Sequence, residues 1–136
     1  MVQYNRKISG FTLIEAMITL VVIGILASIA YPSYTSFAAR GARADALSGL
    51  MNMANRQEQF YLDHKKFTKN MKQLGMDTDP YIVDNGFYEI DASVGSATKY
   101  TLQATAIGTQ ATRDTDCAVI QITSDGVKTP AECWSN

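Results

Sequence analysis

Residues 11–31 read FTLIEAMITLVVIGILASIAY, an almost uninterrupted apolar run. As a helix it is long enough to cross the roughly 30 Å of hydrocarbon in a bilayer. Its one charged residue is Glu15. Arg6 and Lys7 precede the run, and the next basic residue after it is Arg40. The positive-inside rule therefore predicts a membrane-spanning helix with a cytoplasmic N-terminus, and export of everything that follows.

An ordinary secretory signal peptide is the simplest alternative. Ser28, Ile29 and Ala30 offer a small-x-small cleavage pattern ahead of Pro32. Glu15 argues against this alternative, because a carboxylate inside an apolar segment costs on the order of 2 to 3 kcal/mol on insertion. The helical spacing of apolar residues also continues for some thirty residues beyond Pro32. Glu15 therefore needs a purpose and a charged partner.

Residues 10–15, GFTLIE, resemble the prepilin signature of class III signal peptides, the leader type of the type IV pilin family. The resemblance implies that a prepilin peptidase cuts after Gly10 on the cytoplasmic face and methylates the new N-terminal Phe11. It also implies that the apolar helix stays on the mature protein. The mature protein would then join other pilin subunits at an inner-membrane assembly platform and leave the membrane as part of an extracellular fibre.

The cut would change the electrostatics of the helix end. Cleavage after Gly10 places an ammonium group on Phe11, one helical turn from Glu15. In a filament, the amine of an incoming subunit can meet Glu15 of the preceding one. Because an unpaired carboxylate among apolar helices is strongly unfavourable, this pair would set the axial register between subunits. Loss of Arg6 and Lys7 with the leader also weakens the cytoplasmic anchor.

Beyond the first span, apolar residues recur at three- and four-residue spacing while polar residues fall elsewhere on the helical wheel. The apolar set is Leu47, Leu50, Met51, Ala54 and Tyr61, and the polar set is Arg43, Asn52, Arg56 and Asp63. This pattern predicts that an amphipathic helix continues over residues 32–62 and packs on a head domain. Gly24 and Pro32 weaken the helix and favour a kink. The resemblance to pilins implies, further, that the segment between them melts in assembled filaments.

The period changes to two in the remaining residues, 63–136. Strands are expected over 88–94, 100–106 and 118–123, with a turn at 124–126 and a short return at 127–129. The predicted fold class is therefore α+β, a long helix packed on an antiparallel sheet of about four strands. Its expected parts are a leader (1–10), a membrane helix (11–31), an amphipathic half (32–62) and a globular head (63–136).

Two cysteines, Cys117 and Cys133, lie too far apart for a C-x-x-C redox pair. With one histidine they are also too few for a structural zinc site. A disulfide is the expected use, which requires an oxidising compartment and would stabilise the head by roughly 3 kcal/mol. This agrees with export of the C-terminal half.

The head carries one basic cluster, made of Lys65, Lys66, Lys69 and Lys72 around Phe67. It could contact DNA phosphates in a DNA-uptake pilin, although such a cluster is more often a solvated loop face. The net charge of −1 provides no field that would attract nucleic acid to the whole molecule. His64 is interpreted as a solvated loop residue, and no set of side chains has the spacing of a catalytic, metal or cofactor site.

Three other segments resemble the PilE-type minor pilins. They are residues 60–75 (FYLDHKKFTKNMKQLG), 112–114 (TRD) and 132–134 (ECW). The sequence therefore predicts a structural subunit of a type IV pilus, most similar to a minor pilin and not an enzyme. Two alternatives stay open: a DNA-binding pilin that acts in natural transformation, and a pseudopilin of type II secretion with the same leader.

Overall fold

The computed structural model describes residues 10–135, so most of the predicted leader, residues 1–9, lies outside the described residues. The chain divides into two compact units, one ending at Tyr34 and the other beginning at Thr35. The long helix α1, Leu13–His64, contributes residues to both units. α1 continues through Gly24 and Pro32 without interruption.

In the first unit, every described residue is exposed, from Gly10 to Tyr34. Thr12 caps the start of α1, because its Oγ1 accepts a hydrogen bond from the backbone N–H of Glu15 at 3.3 Å. Within residues 10–135, α1 is the helix that is long and apolar enough to cross a membrane. None of the residues in its most apolar 18-residue stretch is buried.

The second unit contains an antiparallel sheet of five strands in chain order. The strands are β1 (Tyr81–Ile82), β2 (Tyr88–Ser96), β3 (Lys99–Ala106), β4 (Val119–Thr123) and β5 (Lys128–Thr129). A short helix α2, Thr109–Arg113, lies between β3 and β4. Single turns of 3-10 helix occur at Met71–Leu74, Thr115–Cys117 and Ala131–Cys133.

The sheet has one strand more than the four or so expected. The additional strand, β1, is only two residues long and pairs Tyr81 with Ile90 and Ile82 with Glu89. The predicted two-residue period is confirmed in the central strands. Tyr88 and Ile90 of β2 and Leu102 of β3 are completely buried, while their neighbours along each strand are less buried.

The buried face of α1 runs through small residues. Its buried positions are Ala39, Ala42, Ala46, Leu50, Met53 and Gln57. The sequence pattern placed Met51 on this face, but Met51 is 42% exposed, because the buried stripe runs through Leu50 and Met53 on either side of it. Arg43 was placed on the solvent side, yet it is half-buried and bonded to Asp114.

α1 extends two residues beyond its predicted end at residue 62. His64 is therefore the last residue of the helix and not a loop residue, although it is exposed. Its ring stacks on Phe60 with the ring centroids 4.0 Å apart. Lys65 ends the helix in the left-handed region, with φ of 56°.

Candidate functional site

The N-terminal half of α1 presents apolar side chains on all sides. Its large hydrophobic residues are between 49% and 79% exposed: Leu13, Ile14, Met17, Ile18, Leu20, Val21, Val22, Ile23, Ile25, Leu26 and Ile29. Glu15 is the one charge among them. A helix that is apolar all round is stable only when lipid or other protein surrounds it. This surface is therefore the first candidate functional site.

Glu15 and the predicted cleavage point lie together at the start of this surface. Phe11 is 83% exposed, and a side chain on Gly10 would meet nothing within 4 Å. The bond from the Glu15 N–H to Thr12 is half of a capping box, in which a Thr at the N-cap is followed three residues later by Glu. Sequence reasoning missed this second use of the T-x-x-E spacing. Glu15 also suits a helix N-terminus because its charge opposes the positive end of the helix dipole.

The lysine cluster lies on the loop that follows α1. Lys65, Lys66, Lys69 and Lys72 are all exposed, whereas Phe67 between them is buried. Lys66 and Lys69 line an open cleft of about 880 Å³ whose other walls include Arg56, Gln59 and Phe60. The structure thus leaves all four lysines exposed, and two of them, Lys66 and Lys69, share this cleft.

A buried glutamine fixes the conformation of this loop. The Gln57 side chain donates to the carbonyl of Thr68 at 2.5 Å and accepts from its N–H at 3.1 Å. Gln57 is completely buried, so these two bonds satisfy an amide that has no water to bind. Sequence reasoning missed Gln57, because a glutamine on an amphipathic helix is ordinarily assigned to the solvent face.

Aromatic packing supports the same loop from inside. The Phe67 ring lies 4.8 Å from the Tyr61 ring and 4.6 Å from that of Tyr100. Burial, together with the nearby Glu58 carboxylate, raises the pKa of Tyr100 to about 12. The loop backbone is therefore anchored to α1 and β3, while its lysines remain in solvent.

The expected disulfide is present between Cys117 and Cys133, whose Cα atoms are 5.7 Å apart. Tyr88, completely buried in β2, donates its hydroxyl hydrogen to the Cys117 carbonyl at 3.0 Å. Burial raises the pKa of the Tyr88 phenol. The bridge thus closes a C-terminal loop that is also tied to the core of the sheet.

Within residues 10–135, no group of three or more His, Cys, Asp or Glu side chains is arranged to hold a metal ion. Two exposed acidic side chains, one on α1 and one in the head, have protein partners instead. Asp45 accepts from Asn85, and Asp125 pairs with Lys99 at 3.2 Å in an exposed ion pair. These are surface contacts that are worth little individually.

Comparison with known proteins places these features in one class, the type IV pilins. The prokaryotic N-terminal methylation motif matches residues 5–31. A family model described as "Type IV minor pilin ComP, DNA uptake sequence receptor" matches residues 32–121. The chain belongs to this ComP family of type IV pilins.

Individual relatives agree with the class. The chain is similar to the type IV major pilin protein PilA of Myxococcus xanthus, with 34% identity over 73 residues, 54% of this chain and 33% of PilA. It is also similar to the type II secretion system core protein G of Aeromonas hydrophila, with 32% identity over 63 residues, 46% of this chain and 44% of that protein. The chain thus spans less than half the length of these curated relatives.

A solved structure has the same fold. The type IV pilin of Shewanella oneidensis is matched with a TM-score of 0.54 and 20% identity, over 72% of this chain and 99% of that one. At this identity the likeness concerns the fold, a long helix packed on an antiparallel sheet. The predicted family and fold class are therefore confirmed.

Proposed function

We propose that this chain is a structural subunit of a type IV pilus, acting as a minor pilin. It is made as a membrane-anchored precursor with its N-terminus in the cytoplasm and its head in the periplasm. Prepilin peptidase removes the leader after Gly10 and methylates Phe11, and the assembly platform then moves the subunit into the fibre. The protein functions by packing against other subunits of the fibre and not by catalysis.

The first half of α1 is apolar all round, and every residue from Leu13 to Tyr34 is exposed in the part of the chain that the structure describes. Burying a leucine or isoleucine side chain is worth about 1.5 to 3 kcal/mol, so leaving this many in water would be prohibitive. Lipid covers the surface before assembly, and the helices of neighbouring subunits cover it afterwards.

The test is processing and incorporation of an epitope-tagged chain. Gly10→Leu places a bulky side chain at the cut, so the full precursor is expected to accumulate in membranes and to be missing from sheared fibres. Gly10→Ala is the matched control, since it keeps a small residue at the cut. Mass spectrometry of both fractions reads the N-terminus. A mature protein that begins at Tyr31 would instead support an ordinary signal peptide and contradict the proposal.

Immunogold labelling of the sheared fibres, quantified against the other pilins, tests the minor role. Sparse labelling along the fibre or at one end is expected for a minor pilin. Labelling at the density of the main subunit would make this chain a major pilin. Its absence from pili, together with dependence on the secretion apparatus, would favour the pseudopilin alternative that similarity to core protein G keeps open.

A second function, DNA binding by the head, is favoured by the ComP family match and by the four exposed lysines of the loop after α1. Each phosphate contact releases counterions, so the logarithm of the binding constant should fall linearly with the logarithm of salt concentration.

The purified full chain in detergent micelles tests this binding. A fourfold variant changes Lys65, Lys66, Lys69 and Lys72 to Gln. The slope of the logarithm of the binding constant against the logarithm of salt concentration should then become shallower by several units. Lys128→Gln, which removes an exposed lysine from β5, is the control and should leave the slope nearly unchanged. Wild-type binding that persists in the fourfold variant would exclude the lysine cluster as the DNA surface.

A further inference from the structure

A bidentate ion pair joins α1 to the segment that follows α2. Arg43 Nε lies 3.0 Å from Asp114 Oδ2, and Arg43 Nη2 lies 2.6 Å from Asp114 Oδ1. The two side chains are only 16% and 8% exposed. Hydrogen bonding to Asp114 raises the pKa of the Arg43 guanidinium, and Asp116 adds to the favourable charge. This is a fork-to-fork pairing, which holds both orientation and distance.

Gln110 of α2 makes a second connection to the same turn of α1. Its Nε2 donates to the Ala39 carbonyl at 3.0 Å and lies 3.2 Å from Asp114 Oδ2. It also lies 3.4 Å from the Tyr88 hydroxyl, which bonds the Cys117 carbonyl. Gln110 is completely buried, so these bonds form in a site that water does not reach.

The two connections bind the two residues of α1 that are joined by one helical hydrogen bond, Ala39 and Arg43. In an α-helix the carbonyl of residue 39 accepts from the N–H of residue 43. Gln110 holds the Ala39 carbonyl, and Asp114 holds the Arg43 side chain. Unwinding this turn would therefore break the backbone bond and both side-chain connections together.

The turn from Ala39 to Arg43 is the first turn of α1 that contains a buried residue. Ala39 is the first buried residue of the helix, and none of residues 13–38 is buried. Pro32, which weakens a helix, lies in the part that precedes it. Unwinding that begins near Pro32 would thus have to break these two connections before it could pass Arg43.

We propose that Ala39, Arg43, Tyr88, Gln110 and Asp114 form a clamp that stops unwinding of α1 at residue 39. The clamp keeps the head docked on its helix when the preceding segment bends or lengthens. Its use in a stretched fibre rests on the proposed pilus function, whereas the clamp itself is a property of the single chain.

Hydrogen exchange of the full-length chain in detergent micelles tests the clamp without any assembly. Wild-type amides from residue 43 to 50 should exchange far more slowly than those near Pro32. Asp114→Asn keeps the size of the side chain but removes the charge, and Gln110→Leu removes the bond to the Ala39 carbonyl. Each should speed exchange in residues 39–46 by about tenfold, the factor expected for one hydrogen bond to a charged or buried group.

The control is Asp125→Asn, which breaks the exposed ion pair with Lys99 and should change nothing near α1. Exchange in β3 serves as an internal reference. Unchanged protection of residues 39–46 in both clamp variants would overturn the proposal. Equal acceleration of residues 39–46 and β3 would also overturn it, because the network would then support global stability only. Fibre incorporation, measured separately, decides the proposed function.

Discussion

At the scale of single residues, Tyr100 makes the stability of the buried aromatic cluster depend on pH. Its ring packs edge-on against Phe67, and its hydroxyl lies 3.4 Å from the Glu58 carboxylate. Burial, with a smaller contribution from Glu58, raises the pKa of Tyr100 from 10.0 to about 12. The unfolded chain therefore releases this proton at a lower pH than the folded chain does.

The sign of the pH effect follows from this order of pKa values. Stability conferred by the neutral phenol is complete below pH 10 and is lost as the pH rises from 10 towards 12. The loss should approach about 3 kcal/mol. Tyr100→Phe should leave stability near neutral pH almost unchanged and make the alkaline loss smaller by that amount. Urea unfolding of both proteins at a series of pH values measures the difference, and equal slopes would contradict the assignment.

At the scale of elements, α1 packs close to the sheet because Gly49 has no side chain. A Cβ at Gly49 would lie 2.7 Å from Ile90 Cδ1 and 3.1 Å from Val83 Cγ1. Ile90 is completely buried and Val83 nearly so, which leaves little room for either to move. A Cβ at Gly41, on the same helix, would meet nothing within 4 Å.

These two glycines give a matched pair of variants. Gly41→Ala should stabilise the chain by about 0.5 to 1 kcal/mol, because alanine is the better helix former. Gly49→Ala gains the same propensity but overpacks the core, at a cost of about 1 to 3 kcal/mol. Denaturant unfolding should therefore place Gly49→Ala below Gly41→Ala by roughly that cost. Similar stabilisation by both would show that the contact between α1 and the sheet is loose.

The periodic elements could be predicted from the sequence, as could the short strand β5 that follows a turn, whereas β1 and α2 could not. Both long strands, β2 and β3, and the extent of α1 follow from repeated apolar spacing. β1 has two residues, too few to show any period. The buried face of α1 was partly misassigned because alanines such as Ala42 and Ala46 carry a weak apolar signal.

The features of the candidate functional site also differ in how well the sequence predicts them. The apolar surface and the lysine cluster are local in sequence, so their composition reveals them. Gln57 and Gln110 act only through partners that folding brings to them, at Thr68 and at Ala39. A buried glutamine has no sequence signature of its own. The cleavage point, methylation of Phe11 and any melting between Gly24 and Pro32 stay predictions.

At the scale of the whole molecule, Glu15 separates insertion into a membrane from assembly into a fibre. Glu15→Ala removes a charge from an apolar helix, so by transfer energy the variant should enter the bilayer at least as readily. The amount of the Glu15→Ala variant in membranes should therefore match that of the wild type. The Phe11 amine of an incoming subunit would lose its buried partner, and breaking such a pair costs about 3 to 5 kcal/mol. Incorporation into sheared fibres should therefore fall by a hundredfold or more.

The capping geometry at Thr12 makes a second variant necessary, because Glu15→Ala also alters the start of α1. Glu15→Gln keeps a residue that can complete the capping box and removes only the charge. If charge pairing sets the register, Gln and Ala should fail alike in fibres while both remain in membranes. If helix capping is what matters, Gln should assemble normally and Ala should not. An epitope tag on the head, quantified separately in the two fractions, distinguishes these outcomes. Normal incorporation of both variants would mean that apolar packing alone sets the register, and charge pairing would be dropped for this subunit.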